Sequence, residues 1–290
     1  MKIGVIGIAD GWSSQKLADA VAEATGYRLL IDLEHVRLDL PSGKAWYGDV
    51  DLSSLDALLI KKIGSTYSPQ LLDRLEMLRL LETRGMPIFS RPSKILGVLN
   101  RISCTITLQS GNIPMPLTSV TEDIDLAAAA VEKYEEAVFK PLFSTKAKGM
   151  CVIRKGESCH GEVSLFRRDN ALMYIQKKID LGEQDLGIVF LGGEYLSTYA
   201  RCRQEGAWNT TTASGGRYHA FDPEPEIIEL AHRAQALFGL DFTCVDVALT
   251  PQGPIVFEVS AFGGFRGLLE ARSIDAAKEY TAYVINTLRK

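Results

Sequence analysis

The residues best suited to chemistry lie near the C-terminal end. Asp246 sits between Val245 and Val247 in one apolar run, and Glu258 sits between Phe257 and Val259 in the next. The Pro251-Gln252-Gly253 turn between the runs predicts a hairpin that sets the two carboxylates side by side. Two carboxylates among apolar neighbours repel unless something positive lies between them. A hard divalent ion, Mg2+ or Mn2+, completed by water and phosphate oxygens, is one resolution. Arginine or backbone donors are the other. Ser260, two residues past Glu258, faces the same side of its strand and offers a third oxygen.

Three further segments have chemical potential. Lys140 ends an apolar strand and leads into Pro141-Leu142-Phe143-Ser144-Thr145-Lys146-Ala147-Lys148-Gly149, a small, hydroxylated, basic turn. Such a turn can fold over phosphates, with backbone N–H groups and hydroxyls donating and lysine supplying charge, or it can stand exposed. Ile175-Gln176-Lys177-Lys178-Ile179 is a strand end that could present its backbone to an adenine edge, with Asp185 near enough for ribose hydroxyls. Cys159-His160 has no second ligand spaced nearby, and none of the five cysteines forms a C-x-x-C pair. That pattern points to reduced thiols in a cytoplasmic protein.

The elements that must hold these residues follow from periodicity. Residues 2–8, Tyr27–Leu33, Asp56–Ile60 and Met86–Ser90 read as strands. Residues 13–25, capped by Ser13 or Ser14, and residues 69–84 read as helices. This alternation predicts an N-terminal α/β unit with a parallel sheet. Helices are expected at 93–110, 123–134, 223–238 and 270–289. From 137 onward AVFKPLF, MCVIRK, EVSLFRR, ALMYIQKKI and LGIVFLGGEYLSTYARCR read as strands, so the fold class is α+β. Gly4-x-x-Gly7 is not a dinucleotide fingerprint, and G-x-x-x-x-G-K-[ST] is absent.

The chain has 290 residues, 46% of them apolar and 23% charged, with a net charge of −4. An acidic chain argues against nucleic-acid binding, and no apolar run is long enough for a membrane helix. The charge is uneven. Residues 140–217 hold 12 Lys/Arg against 8 Asp/Glu, while the remainder holds 20 against 28. A basic middle in an acidic protein suits a local anionic ligand.

Taken in order, these residues resemble the ATP-grasp superfamily, most nearly its RimK-like and glutathione-synthetase-like carboxylate–amine ligases, and among those the small GAK-system proteins. Val245-Asp246-Val247 with Gly253 through Ala261 is similar to the family's "VDI … GPLVMEVNA" signature. Val138-Phe139-Lys140-Pro141 is similar to its phosphate-binding strand lysine, and Tyr174–Ile179 to its adenine hinge. Gly192-Gly193-Glu194 through Arg201 resembles the strand turn ending in an active-site arginine. Trp208 through Gly216 looks like "W-R-T-N … GG", Lys62-Ile63-Gly64 like "RIG", and Asn100-Arg101 like "DK". The likeness spans roughly residues 55–270.

The resemblance implies an ATP-dependent ligase that forms an amide through an acyl phosphate. Asp246, Glu258 and Ser260 would hold Mg2+. Arg101, Lys140, Ser144, Thr145, Gly149, Gln176, Lys177, Lys178, Ile179 and Asp185 would bind ATP, and Arg201 and Lys140 would act in catalysis. It also implies three units, at 1–92, 93–182 and 183–290, small-molecule or peptide acid and amine substrates, and room for self-association. The pattern departs at Ser260 and Thr211, each standing where asparagine is usual. Arg101 replaces lysine, Lys177 replaces an acid, and Ala147-Lys148 replace smaller residues. These departures leave two alternatives: a nucleotide-binding relative that has lost ligation, and a kinase on the same scaffold.

Overall fold

The computed structural model describes residues 1–145, 147–206 and 209–290, so Lys146 and Trp208 lie outside the described residues. The N-terminal parallel sheet has strand order β2-β1-β6-β7, from β1 (Ile3–Ile6), β2 (Leu30–Ile31), β6 (Ala57–Ile60) and β7 (Ile88–Phe89). All four residues of β1 and of β6 are buried, as a sheet covered on both faces requires. Helix α1 (Trp12–Thr25) follows β1, and α2 (Gln70–Thr83) follows β6. Gly26 ends α1 in the left-handed region, with φ of 73°.

Several expectations are corrected here. The strand expected at Tyr27–Leu33 shrinks to two residues. Neither Ser13 nor Ser14 caps α1; its N-cap is Gly11, and the Ser14 hydroxyl accepts instead from the Ile8 amide. Residues 36–51, unassigned from sequence, form an antiparallel three-stranded sheet of β3 (Val36–Asp39), β4 (Lys44–Tyr47) and β5 (Val50–Asp51). The single helix expected at 93–110 is two, α3 (Pro92–Leu99) and α4 (Arg101–Ser110). Asn100 breaks the run with an extended backbone, and its side chain caps α4 by accepting from the Ile102 and Ser103 amides.

The next sheet runs β10-β9-β11-β8, from β8 (Thr118–Thr121), β9 (Glu136–Lys140), β10 (Cys151–Arg154) and β11 (Met173–Lys177). Helix α5 (Ile124–Tyr134) covers one face together with α6 (Cys159–Asp169). The stretch EVSLFRR, expected as a strand, is the body of α6. Cys159, Val163 and Phe166, at helical spacing, are its buried stripe, and the charged residues between them face outward. Alternation along β9 and β11 does the positioning. Phe139 and Ile175 join the helix-side core, which leaves Lys140 and Gln176 on the opposite face.

The third sheet is antiparallel, in the order β14-β13-β12-β15-β16. Its strands are β12 (Gln184–Leu191), β13 (Glu194–Cys202), β14 (Arg217–Ala220), β15 (Phe242–Thr250) and β16 (Gly253–Ser260). Helix α7 (Pro225–Ala236) packs on β15 and β16. The helix expected at 270–289 is two, α8 (Phe265–Arg272) and α9 (Ala276–Leu288), separated by Ser273 in the left-handed region. One apolar cluster joins Ile6, Leu58 and Ile60 of the parallel sheet to Ile188, Val245 and Val256 of this sheet. Ile95, Leu99 and Leu108 of α3 and α4 belong to it, whereas β9, β11, α5 and α6 share a separate cluster.

Candidate active site

A cavity of about 380 Å3 lies between the cleft faces of the second and third sheets. Lys140 and Gln176 line one side, Asp185, Arg201, Asp246, Glu258 and Ser260 the other, and Arg101 of α4 stands at the edge. Asp246 and Glu258 are register partners across β15 and β16, as the hairpin predicted. The pairing shifts just beyond them, where Val247 opposes Val256. Phe257 is therefore an inserted residue, and it lines the cavity beside Glu258. Val256 and Val259 are both buried in the core.

Each carboxylate meets its own arginine. Arg201 Nη2 stands 3.1 Å from Asp246 Oδ2, and Arg101 Nη1 stands 3.4 Å from Glu258 Oε2. Asp185, opposite Arg201 across β12 and β13, takes the other side of that guanidinium: Arg201 Nε donates to Asp185 Oδ1 at 3.2 Å, and Nη2 donates to Oδ2. Burial pushes the Asp246 carboxyl up to about 7; Arg201 opposes this, and Glu258 and Asp185 add to it. Asp246 and Asp185 hold Arg201 charged, with its pKa raised well above the usual value despite burial.

Lys140 Nζ donates to Gln176 Oε1 at 2.6 Å and stands 5.5 Å from the Phe257 ring centroid. Gln176, only 1% exposed, donates onward to the Thr118 hydroxyl and the Tyr174 hydroxyl. Burial, then Arg101, lower the Lys140 pKa to about 7; Glu258 and Asp246 oppose the shift.

The other expected nucleotide contacts divide. Ser144, Thr145, Lys177, Lys178 and Ile179 line the cavity. The amides of Lys177 and Lys178 already donate to the Leu117 and Glu136 carbonyls, so an adenine edge would use the neighbouring carbonyls and the backbone of Ile179. The Lys178 ammonium pairs with Glu136 at 2.9 Å. Gly149, with φ of 72°, borders a second cavity of about 610 Å3 that shares Tyr67, Ser144 and Thr145 with the first. Asp185 lines the cavity too, with its carboxylate paired to Arg201.

Sequence reasoning missed Tyr67 and Phe257, which line the cavity beside Asn209 and Thr210 of the stretch likened to the family. Their side chains reach it through loop geometry or a bulge, neither of which leaves a periodic signal. Lys62 and Thr211, noted from the resemblance, also line it. A Cβ on Gly216 would overlap the Thr210 carbonyl oxygen, so glycine permits the tight 209–216 turn.

The donor set suits a small hard cation. Two opposed carboxylates and a hydroxyl are oxygen ligands; burial withdraws Asp246 from the solvent that would screen it, whereas the Glu258 side chain is 45% exposed. Among the described residues no group of three or more His, Cys, Asp or Glu side chains gathers as a metal site. Two carboxylates and a hydroxyl would not fill the shell of a small divalent ion, so phosphate oxygens or water would have to complete it.

A lysine and a small polar loop on one sheet face a carboxylate pair on another, the geometry of an enzyme that holds a nucleotide triphosphate between two antiparallel sheets. Comparison with known proteins specifies the class. Residues 99–284 match the RimK-like ATP-grasp domain. Over 99% of both chains the protein is 23% identical to tetrahydromethanopterin:alpha-L-glutamate ligase of Methanosarcina acetivorans. The fold superposes on the ATP-grasp ligase PsnB, solved with a precursor variant, Mg and ADP, with a TM-score of 0.77 at 14% identity over 99% of this chain and 98% of that one. D-alanyl-alanine synthetase A of Vibrio cholerae gives 0.74 at 16% identity, over 100% and 99%. The chain belongs to the RimK-like ATP-grasp family. It is an ATP-dependent ligase that forms C–N bonds, and the expected ATP-grasp fold is the one observed. No helix among the described residues is long and apolar enough to cross a membrane.

Proposed function

We propose that ATP activates a carboxylate as an acyl phosphate in the 380 Å3 cleft and that an amine then attacks it, releasing phosphate and leaving an amide. The observation that carries this reading is the set of charges converging there: Lys140, Arg101 and Arg201 surround Asp246 and Glu258 within one cavity. Phosphoryl transfer needs this kind of machinery, because positioning and charge stabilisation supply most of its catalysis.

Lys140, fixed by Gln176, meets the phosphates from the lid side, while Ser144 and Thr145 close over them. Arg101 contributes a second cation at the edge. Arg201, oriented by Asp185, stabilises charge on the transferring group and then on the tetrahedral oxyanion. The backbone at Lys177–Ile179 frames the base. Asp246, Glu258 and the Ser260 hydroxyl would hold Mg2+ or Mn2+. When bound, such an ion would neutralise charge on the nucleotide phosphates. The units 1–92, 93–182 and 183–290 belong to this reading, as does a cytoplasmic location, with which the five free cysteines agree.

The relative's name makes L-glutamate the first amine to test, with the Lys62 and Thr211–Gly216 side of the cleft as its place. ADP release measured over a panel of acids with L-glutamate tests the proposal. Release that needs both partners, with an amide product by mass, supports it. A stable phosphorylated product without amine incorporation favours a kinase, and MgATP binding without turnover over a broad panel favours a non-ligating relative.

A further inference from the structure

Lys61 directly follows β6 of the parallel sheet and is 1% exposed. Among the described residues no carboxylate pairs with it. Its Nζ donates instead to the Phe262 carbonyl at 2.8 Å and lies 3.5 Å from the Gly263 carbonyl oxygen. It also stands 3.7 Å from the centroid of the Phe265 ring and 5.6 Å from that of Phe242. Phe242 opens β15, and Phe262 through Phe265 follow directly after β16. One amine at the end of the N-terminal sheet thus reaches the roots of both strands that carry Asp246, Glu258 and Ser260.

The contact continues into the cleft. The Phe262 amide donates to Ser260 Oγ at 3.2 Å, so the peptide unit next to the one Lys61 grips also orients the Ser260 hydroxyl. The chain then turns through Gly263-Gly264, where Gly264 takes φ of 91°. A glycine pair gives such a turn little stiffness of its own, so its shape depends on what holds it. Packing alone does not account for an amine here. An apolar side chain of equal length would fill the space without the cost of burying a polar group. Burial, then Lys62, push the Lys61 pKa well below the usual value, and what the amine meets here is two carbonyl acceptors and the face of Phe265.

We propose that Lys61 is a positioning residue for the metal and phosphate corner of the active site, holding the Phe262 peptide and, through it, the Ser260 hydroxyl. The inference rests on reading Asp246, Glu258 and Ser260 as the metal side of that site. It makes the N-terminal unit part of the catalytic geometry as well as a neighbour of it.

Mn2+ binding to the ADP complex, followed by loss of the free-ion EPR signal, provides the test. Lys61→Met is expected to weaken Mn2+ binding by about 10- to 100-fold, the usual effect of removing a group that orients a metal ligand. ADP binding without divalent ion keeps the parent value, and Lys61→Arg recovers most of the loss. Ser260→Ala weakens Mn2+ in the same way, and the double variant adds no further loss. Parent-like Mn2+ binding by Lys61→Met overturns the proposal, as do losses that simply add in the double variant. If Lys61→Met does not fold, Lys61→Gln, which keeps a donor but not the charge, serves the same comparison. Asp246→Asn is the control: unchanged Mn2+ binding there overturns the metal reading itself rather than the role of Lys61.

Discussion

Asp246 and Glu258 face each other across one rung of a hairpin, yet each is answered by an arginine from a different element, Arg201 from β13 and Arg101 from α4. The two pairs place four charges around the point where the proposed nucleotide phosphates would lie. Neutralising one member should therefore affect more than its own contact.

Asp246→Asn and Glu258→Gln are each expected to lower ADP release by at least about a hundredfold, several kcal/mol of transition-state stabilisation. Chelating divalent ions from the parent should do the same. Normal turnover in either variant would remove that residue from the metal site.

Arg201→Lys keeps the charge but cannot span Asp185 and Asp246 with one planar group. The expected outcome is a fall in kcat of about a hundredfold with a smaller change in the KM for ATP, as for other donors that act on transition-state charge. Steady-state kinetics checks it, and a change confined to KM would reassign Arg201 to ground-state binding.

Lys140 supplies the pH dependence. Its pKa is lowered to about 7 by burial, whereas an unfolded lysine keeps its proton to about 10.4. Between those values the unfolded chain binds more protons, so the stability of the ligand-free protein should rise with pH across that window. Phosphate placed against the ammonium restores its proton. Nucleotide binding near pH 8 should then take up a proton, measurable by calorimetry in buffers of different ionisation enthalpy. Lys140→Met should abolish the uptake, and an unchanged uptake would sink the assignment.

Gln176 joins Lys140 to Thr118 and Tyr174 from a buried position. Gln176→Leu takes the acceptor from the buried Lys140 Nζ, at about 1–3 kcal/mol of stability, and frees Lys140 to move, while Thr118 and Tyr174 keep their bonds to the Pro116 carbonyl and the Thr105 hydroxyl. Weaker ATP binding with a lowered unfolding temperature is expected. Unaltered ATP affinity would show that Lys140 needs no such support.

The carboxylate hairpin was legible in the sequence because it combines a turn signal with two apolar strands, each interrupted by one acid. The ordered likeness of Lys140, the hinge and Arg201 to a known family carried the rest of the cleft. What escaped had physical reasons. EVSLFRR contains β-formers, but its apolar residues recur at helical spacing from Cys159, and tertiary packing on β9 and β10 decides the matter. Asn100 looked like a residue inside a helix, whereas it stops one helix and caps the next. Arginine–carboxylate pairing is not periodic, and so the Arg201 bridge between Asp185 and Asp246 appears only in three dimensions.

The inserted Phe257 changes what counts as a damaging lesion. Val256 and Val259 are three residues apart, one of odd and one of even parity, and in a regular strand they would face opposite ways. Both are buried because the bulge resets the phase between them. The strand thus carries two reading frames, one on each side of Phe257. Deleting that single residue would leave plain alternation, with Val256, Glu258, Val259 and Ser260 each keeping its face, so the loss would be the Phe257 ring beside Lys140. A residue lost or gained elsewhere in β16 would instead flip one side of the strand and trade the core against the active site.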